Sequence, residues 1–463
     1  MGDDRSDGVY GIAPFSGRMD VESLLSEANN PCVATQTERL RRWFASGVKM
    51  LDLRDADKFA AARFENSVNM PLTDLPGRLH ELPPRTTALV VLLARPGNGN
   101  EANPLTWMRK QLARFAADFK NNPWHVTQVF VTNPGEAGCG SQNVETLFAS
   151  IALAADVPVL KGEVAPKLRG HLWEPSAMVV KWLPMIEEKV QAAAKKAAPA
   201  AKPQKILIDL GCGAGRDAVW AALRGWHVLA LDSDAKGLGR CAGLAATHGV
   251  SDFVECRLVD LNEMTPGTIV AAAFRFAETR FAIVAASTGL TSMNGTLNAN
   301  PALQNLNNPH ITVLAVRFMN RGILKALPGL LPPGSVVCWF HFLRGAELTP
   351  MGRPNKAKDL LERNELFDTF TQDASLLWDV LCDRETQIPD GRPVSEFVAA
   401  RGGVERAHST RQKRRATPCG ENFVAQLDNL TARGLRKNSV VNPCFFLYQH
   451  FGLANSHTNS TFE

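Results

Sequence analysis

The sequence predicts an α/β protein with two domains, of which the C-terminal one is built on a mainly parallel sheet. Apolar, strand-like runs alternate with helical patterns between residues 48 and 132, and the alternation resumes at Lys205. A Gly-rich turn joins a strand to a helix directly after Leu210. The chain has 463 residues, 45% of them hydrophobic, which is enough to bury two cores.

The stretch from Lys205 to Asp234 is predicted to be a ligand-binding βαβ unit. Its predicted elements are, in chain order, a strand over Lys205–Leu210, a helix over Asp217–Leu223 and a strand over Trp226–Leu231. The three glycines of the turn permit positive φ and a close approach of the backbone to a ligand. The start of the helix offers unpaired N–H groups, so the pattern favours a nucleotide-like ligand.

Two acids narrow the choice of ligand. The glycine spacing is G-x-G-x-G, which differs from the G-x-G-x-x-G of dinucleotide sites. Asp209 ends the first strand, where a carboxylate would repel a pyrophosphate and attract an ammonium or sulfonium. Asp232 ends the second strand, where an acid accepts hydrogen bonds from a ribose diol. The inferred ligand is a cationic nucleoside.

The segment IDLGCGAGRDAVWAALRGWHVLALD resembles motif I and the second-strand acidic motif of class I S-adenosylmethionine-dependent methyltransferases. The resemblance implies a Rossmann-like methyltransferase domain over residues 205–455 and S-adenosyl-L-methionine as the cofactor. It also implies that an acid after the third strand, predicted over Phe253–Val259, contacts the adenine amino group. The predicted cofactor-binding residues are Asp209, Gly211, Cys212, Gly213, Gly215, Arg216, Asp232, Ser233, Asp260 and Leu261. Two alternatives for the glycine turn are that it is purely structural or that it binds a different nucleotide. The alternative for Asp260 is a surface carboxylate without a ligand contact.

The segment LDLRDADKFAAARFENSVNMPL resembles the rhodanese family, and the resemblance covers roughly residues 30–165. The residue pattern itself predicts a strand over Val48–Leu53, a helix over Phe59–Phe64 and a salt-bridged strand end at Arg54 and Asp55. In that family a cysteine opens the loop after the next strand and carries sulfur. The matching segment LVVLLARPGNGNEANPLTW has no cysteine, and its side chains offer no nucleophile. We therefore expect an inactive rhodanese-like module that serves docking or regulation, with a protein as its partner. Cys139 is expected to be an ordinary loop or core cysteine.

Residues 166–204 are predicted to connect the domains. Leu172–Ser176 resembles a tryptophan-proline segment of rhodanese-linked methyltransferases, and Trp173 either caps the cofactor pocket or packs in the core. Glu187–Lys205 is predicted to be a linker, helical until Pro199 and Pro203 stop it. Residues 264–310 are predicted to be an insertion that contains a strand over Phe281–Ala286 and, in its Asn-rich part Asn294–Asn308, a loop.

The acceptor is expected at the ends of the fourth and fifth strands, because ligands bind at the carboxyl edge of an open parallel sheet. These strands are predicted over Ile311–Phe318 and Val336–Leu343, with a helix over Gly322–Leu331 between them. The candidate substrate-side residues are Arg317, Asn320, Arg321 and His341. The segment resembles a subgroup with an Arg-aromatic-x-x-Arg motif and a histidine before the last arginine. Asn320 replaces that histidine, and an amide takes no proton near pH 7.

Composition leaves three functions open. The leading prediction is methyl transfer to a small molecule, and the arginines at the acceptor edge predict that this molecule is an anion. An RNA methyltransferase would use the basic cluster at residues 401–415, although the net charge is only +5. A protein that binds the cofactor without turnover is the third.

The nine cysteines form no C-x-x-C pair, so they indicate neither a zinc site nor a disulfide framework. We therefore expect a cytoplasmic protein. Residues 1–29 are predicted to be a tail and show no signal-peptide pattern. Asn442–Phe451 is predicted to be a terminal strand. No apolar run is long enough to predict a membrane helix.

Overall fold

The computed structural model describes residues 33–85, 87–94, 110–111, 124–132, 152–197, 204–287 and 310–402. All of these residues belong to one compact unit, Met1–His408, and the second unit, Ser409–Glu463, lies outside them. The predictions for the tail, Cys139, the basic cluster beyond Gly402 and the terminal strand therefore fall outside the described residues.

The N-terminal module is built on a four-stranded parallel sheet in the order β3-β1-β4-β5. The elements of this module are α1 (Val33–Ala45), β1 (Met50–Asp52), α2 (Ala56–Ala61), β2 (Arg63–Phe64), β3 (Ser67–Asn69), α3 (Leu75–Arg78), β4 (Leu89–Ala94), β5 (Val126–Thr132) and β6 (Val159–Leu160). Apolar clusters cover both faces of the sheet, since Leu51 and Val91 pack on one side and Met50 and Val90 on the other. This two-sided burial is what a parallel sheet requires.

The predicted helix over Phe59–Phe64 is wrong in its second half. The helix ends at Ala61, and Arg63 and Phe64 form β2, which pairs antiparallel with β6. Phe64 is buried and its ring lies 5.5 Å from that of Trp43, so core packing overrides the helical pattern. The predicted salt-bridged strand end is present, since Arg54 pairs with Asp52 at 2.6 Å and Asp55 pairs with Lys58 at 3.3 Å.

The C-terminal module is built on a seven-stranded sheet in the order β12-β13-β11-β10-β7-β8-β9. The strands β7 to β11 run parallel, whereas β13 is antiparallel to both of its neighbours. The elements are α4 (Ala177–Ala197), β7 (Lys205–Leu210), α5 (Arg216–Leu223), β8 (His227–Asp232), α6 (Ala235–Thr247), β9 (Val254–Leu258), α7 (Pro266–Ser287), β10 (His310–Val316), α8 (Arg321–Leu330), β11 (Val336–Phe342), α9 (Glu365–Thr371), β12 (Trp378–Gln387) and β13 (Pro393–Arg401). The βαβ unit predicted around the Gly-rich turn is present, with β7 at its predicted bounds.

Helix α7 overturns the prediction of a strand over Phe281–Ala286, whereas the predicted Asn-rich loop, Asn294–Asn308, lies outside the described residues. It spans Pro266–Ser287 and so includes the stretch predicted as a strand. Ile269, Ala273, Phe276 and Ala277 are buried in the main core, and their spacing of four, seven and eight residues forms one helical stripe. The described part of this segment is thus a helix that packs on the sheet.

Helix α4 extends into the segment predicted as a linker. Trp182, Leu183 and Ile186 are buried in the core cluster on one face of the seven-stranded sheet. Glu187, the first residue of that segment, accepts hydrogen bonds from Arg224 Nη2 at 2.6 Å and Trp226 Nε1 at 2.6 Å. The first part of the segment therefore belongs to the packed domain.

The hairpin of β12 and β13 was not predicted. Gly391 adopts φ +85° in its turn, and its N–H donates to Ile388 O at 2.8 Å. Within the described ranges, no helix is long and apolar enough to cross a membrane.

Candidate functional site

The glycine turn after β7 is held open by its backbone. Gly211, Gly213 and Gly215 have φ of +74°, +55° and +75°, a region that favours glycine. A Cβ on Gly215 would lie 2.1 Å from the Cys241 Sγ, so this position admits no side chain. A Cβ on Gly213 would meet nothing within 4 Å. The turn therefore packs tightly on one side and leaves backbone accessible at Gly213.

Asp232 shapes the turn from the end of β8. Its Oδ2 accepts the Gly213 N–H at 2.7 Å, and its Oδ1 accepts the Asp234 N–H at 2.8 Å. A carboxylate oxygen can accept more than one hydrogen bond, so both oxygens retain capacity for a ligand hydroxyl. Ser233, next in the chain, is exposed.

Asp209 is a buried carboxyl group with unmet hydrogen-bonding capacity. It is 3% exposed, and its Oδ2 has no hydrogen-bond partner among the described residues. Burial, reinforced by the negative charges of Asp217 and Asp232, raises the pKa of Asp209 well above its usual range. A buried acid of this kind is satisfied by a donor that carries positive charge.

Asp217 belongs to the same acidic group, although its place in the sequence predicts only the start of a helix. Its Oδ1 accepts the Ser176 N–H at 2.6 Å. Burial raises the pKa of this carboxyl group as well. An acid in the first turn of a helix is common for reasons of capping and dipole, so the sequence alone gave no signal of this contact.

The remaining predicted cofactor residues lie around the same turn and the neighbouring strand end. Cys212 is half-buried, and Arg216 is exposed at the start of α5. The end of β9 is tied to β8, because the Val259 N–H donates to Asp232 O at 2.9 Å. Asp260 is exposed there and accepts the Asn262 N–H at 2.9 Å, whereas Leu261 is buried.

Asn320 caps the N-terminus of α8. Its Oδ1 accepts the Ile323 N–H at 2.9 Å, which makes it the N-cap. Its Nδ2 donates to Leu261 O at 3.2 Å and to Asn262 Oδ1 at 3.1 Å. The amide therefore joins the fourth strand's end to the loop that carries the predicted adenine contacts.

Arg321 is engaged within the protein. Its Nε and Nη2 donate to the two carboxylate oxygens of Glu365 at 2.7 and 3.0 Å. Its Nη1 donates to Lys358 O at 2.6 Å, and Nη2 also donates to Leu360 O. This guanidinium holds α9 and the loop before it against α8.

His341 is buried, and its imidazole is neutral. It is 4% exposed, and its Nε2 lies 2.8 Å from Asp359 O, to which it donates. Burial lowers the pKa of His341 below its usual range. Its Nδ1 has no hydrogen-bond partner in the described part of the chain, and neither has the nearby Trp339 Nε1.

Arg317 differs from Arg321 in having a free head group. Its φ is +58°, unusual outside glycine, and its N–H donates to Phe340 O at 2.7 Å. Its guanidinium carbon lies 5.9 Å from the centre of the Phe342 ring. Over the residues that the structure describes, the guanidinium makes no hydrogen bond or ion pair.

Arg392, from the unpredicted hairpin, reaches the same ring at 4.3 Å. It pairs with Asp390 through Nη2 at 2.6 Å and Nε at 3.0 Å. Desolvation and then the positive charges of Arg392 and Arg216 lower the pKa of Arg317. Three arginines and the acids Asp390 and Asp217 therefore act on one another at this edge; among the described residues, Arg392 is paired with Asp390, whereas Arg317 has no such ion pair.

Trp173 lies in the core. It is 1% exposed and packs with α4, α5 and α6. The structure thus supports core packing for this residue. In the described ranges, no group of three or more His, Cys, Asp or Glu side chains is placed to hold a metal ion.

The segment around the glycine turn is similar to a known protein family, and most of the chain is similar to one curated protein. Residues 185–269 match the family model described as TehB, tellurite resistance protein TehB. The chain is 21% identical over 356 residues to an uncharacterized protein, UNK4.09, of Schizosaccharomyces pombe, covering 76% of this chain and 93% of that one.

Solved structures of low identity are also similar. The structure of TehB from Haemophilus influenzae is 16% identical with a TM-score of 0.26, and the match covers 47% of this chain and 62% of that one. The N-terminal domain of EvdMO1, solved with SAH bound, is 17% identical with a TM-score of 0.27, covering 51% and 88%.

The family match spans most of α4, the strand β7, the glycine turn with Asp209 and Asp232, and the beginning of α7. It therefore falls on the acids and glycines that form the candidate site. Over residues 185–269 the chain is therefore similar to the TehB family.

Proposed function

We propose that this protein transfers the methyl group of S-adenosyl-L-methionine to a small-molecule acceptor. The observation that carries the proposal is the unpartnered Asp209 Oδ2 beside a glycine turn with open space at Gly213. Burying a carboxyl group without a partner costs free energy, so its retention at this edge indicates a ligand that supplies the missing donor. The amino group of the cofactor is such a donor.

The residues around the turn fit the other parts of the cofactor. Asp232 would accept hydrogen bonds from the ribose hydroxyls, and Asp260 with Leu261 would bind the adenine. Gly211, Gly213 and Gly215, with Cys212, Arg216 and Ser233, would line the backbone side of the site. When bound, S-adenosylmethionine supplies a methyl group on a positively charged sulfur. The protein's contribution is to align an acceptor with that group and to exclude water.

We further propose an anionic acceptor bound by Arg317. Among the described residues its guanidinium has no hydrogen-bond or ion-pair partner, and Arg392 and Arg216 add positive charge at the same edge. A planar guanidinium binds carboxylates and related anions in a bidentate manner. Arg321 and Asn320 would support this edge, since their polar groups are already bonded within the protein.

A soft acceptor that ionises near neutral pH needs no strong base. His341 is the candidate base for any other acceptor, because its Nδ1 carries a free lone pair while Nε2–H is held by Asp359 O. Its lowered pKa keeps the imidazole neutral, and therefore able to accept a proton, at neutral pH.

The N-terminal module is proposed to be rhodanese-like and to serve docking or regulation. Its support is a buried network in the resembling segment, in which Asn69 Nδ2 donates to Asp52 O at 3.1 Å and Arg54 O at 2.8 Å. The network fixes the end of β1, which pairs with β4, the strand that precedes the segment matching the family's cysteine loop.

Transfer of label from methyl-labelled S-adenosylmethionine in a cell extract tests the function. We expect label in small anionic molecules, and label confined to RNA would favour the RNA methyltransferase. Once the acceptor is isolated, Arg317→Met should raise its KM at least about tenfold while cofactor affinity stays within about threefold. Arg42→Met is the matched control, because the Arg42 side chain is 73% exposed and belongs to α1 of the N-terminal module. Unchanged KM in Arg317→Met would refute the arginine's role.

A further inference from the structure

The segment Arg169–Ser176, here called the connecting segment, is packed into both modules. On the N-terminal side, Leu172 is buried in the cluster that contains Leu51. The Lys49 Nζ donates to His171 O at 2.6 Å. A Cβ on Gly170 would lie 3.1 Å from the Val68 Cγ2, so the segment runs close against β3. These contacts join it to β1 and β3 of the N-terminal sheet.

On the other side the connecting segment binds α6. The Trp173 Nε1 donates to the His248 Nε2 at 3.4 Å, and the two rings meet edge to face at 5.6 Å. His171 stacks on Trp173 at 4.3 Å. The Arg169 Nη1 donates to Thr247 O at 3.3 Å. Burial lowers the pKa of His248 to about 4, so its Nε2 is free to accept at neutral pH.

The end of the connecting segment contacts the cofactor turn. The Ser176 N–H donates to Asp217 at 2.6 Å, and Asp217 lies in the first turn of α5, directly after the glycines. Asp217 is close enough to Asp209 for its charge to act on that carboxyl group. A continuous set of contacts thus leads from the N-terminal sheet to the acid that we assign to the cofactor amino group.

We propose that the Asp217 carboxylate and the Ser176 amide form a latch, by which the connecting segment positions the start of α5 for cofactor binding. Asp217 is then a positioning residue, and the N-terminal module is part of the support of the cofactor site. This inference rests on the proposed function. It predicts that cofactor binding and the rigidity of the N-terminal sheet are coupled, since each depends on the same contacts.

Two substitutions separate the latch from a direct charge effect. Asp217→Asn keeps an oxygen that can accept the Ser176 N–H, whereas Asp217→Ala removes it. Ser176→Pro removes the donor and leaves Asp217 intact, so it also tests the idea if Asp217→Ala fails to fold. Asp368→Ala, on the exposed surface of α9, is the control.

The measurement is calorimetric titration with S-adenosylhomocysteine. We expect Asp217→Ala and Ser176→Pro to weaken binding about tenfold or more, and Asp217→Asn and the control to stay within about threefold of the wild type. Equal weakening in Asp217→Asn and Asp217→Ala would assign the effect to charge and overturn the latch. Wild-type affinity in Ser176→Pro would overturn it as well. A wild-type protein that binds neither S-adenosylhomocysteine nor S-adenosylmethionine would instead refute the proposed function.

Hydrogen exchange supplies a readout that a local defect would not change. Saturation of the wild type and the control with S-adenosylhomocysteine should slow amide exchange in β1 and β4 of the N-terminal sheet. In Ser176→Pro the slowing should be confined to the seven-stranded sheet. The coupling is refuted if bound ligand leaves exchange in β1 and β4 of the wild type unchanged.

Discussion

Replacing Asp209 with asparagine should weaken cofactor binding and stabilise the free protein at the same time. The side chain is 3% exposed, and Oδ2 has no partner among the described residues. A hydrogen bond to a charged group contributes about 1.5–3 kcal/mol, so Asp209→Asn should raise the Kd for S-adenosylmethionine by roughly 10- to 100-fold. The free protein gains stability because a buried carboxyl group between two other acids is replaced by a neutral amide.

The pH dependence follows from the direction of the shift. The folded pKa of Asp209 is raised, so the free folded protein holds a proton that the unfolded chain has already released. Stability from this group therefore falls as pH rises from the unfolded pKa through the folded one. Binding of a cation favours the carboxylate, so cofactor affinity should rise over the same interval and level off above the folded pKa.

Calorimetry at pH 5–7, about a unit or more below the pKa of a free α-amino group, isolates the carboxyl group from the titration of the cofactor. In buffers of different ionisation enthalpy, the wild type should release a proton on binding and Asp209→Asn should not. Urea unfolding of the free proteins gives the stability difference. Equal affinity in both proteins, with no dependence on pH, would refute the assignment of Asp209 to the cofactor.

Three further predictions concern other parts of the chain. Gly215→Ala should lower the free energy of unfolding by about 3 kcal/mol, since its Cβ would overlap the Cys241 Sγ, and Cys241→Ala should recover part of the loss in urea denaturation. Arg321→Met should destabilise by about 2–3 kcal/mol because Glu365 loses its partner, and an unchanged melting temperature would contradict this. Cyanide-dependent thiocyanate formation should be absent from the full chain, and activity that Cys139→Ser abolishes would show a relocated nucleophile.

The strands that line the cofactor turn could be predicted because their patterns are local. β7 is a short run of Ile and Leu that ends in three glycines, and nothing in its sequence competes with a buried parallel strand. The glycines at 211, 213 and 215 adopt the positive φ that the spacing suggested. The hairpin could have been found as well, since Asp390-Gly391 between β-rich runs is a turn signal.

Other features depend on tertiary contacts. The Phe281–Ala286 stretch is apolar throughout, and such a short run fits a strand or a buried helix equally well; the structure places it in α7. Arg317 and Arg321 are alike in sequence, yet only Arg321 meets a carboxylate, because Glu365 is brought to it by α9. The contact of Asp217 with Ser176 joins residues far apart in the chain, and no local pattern indicates it.

Trp173 bears on how the chain folds during synthesis. The ribosome delivers it well before α6, so Leu172 can already pack beside Leu51 while the indole still lacks His248. Trp182 and Leu183 of α4 likewise emerge ahead of the strands that bury them. A nascent chain at this stage presents an apolar surface that a chaperone would recognise. If the two modules were produced separately, with the cut in the Ala- and Pro-rich stretch before Lys205, the first fragment would keep this apolar surface exposed. The second fragment would lack α4, which covers one face of its sheet.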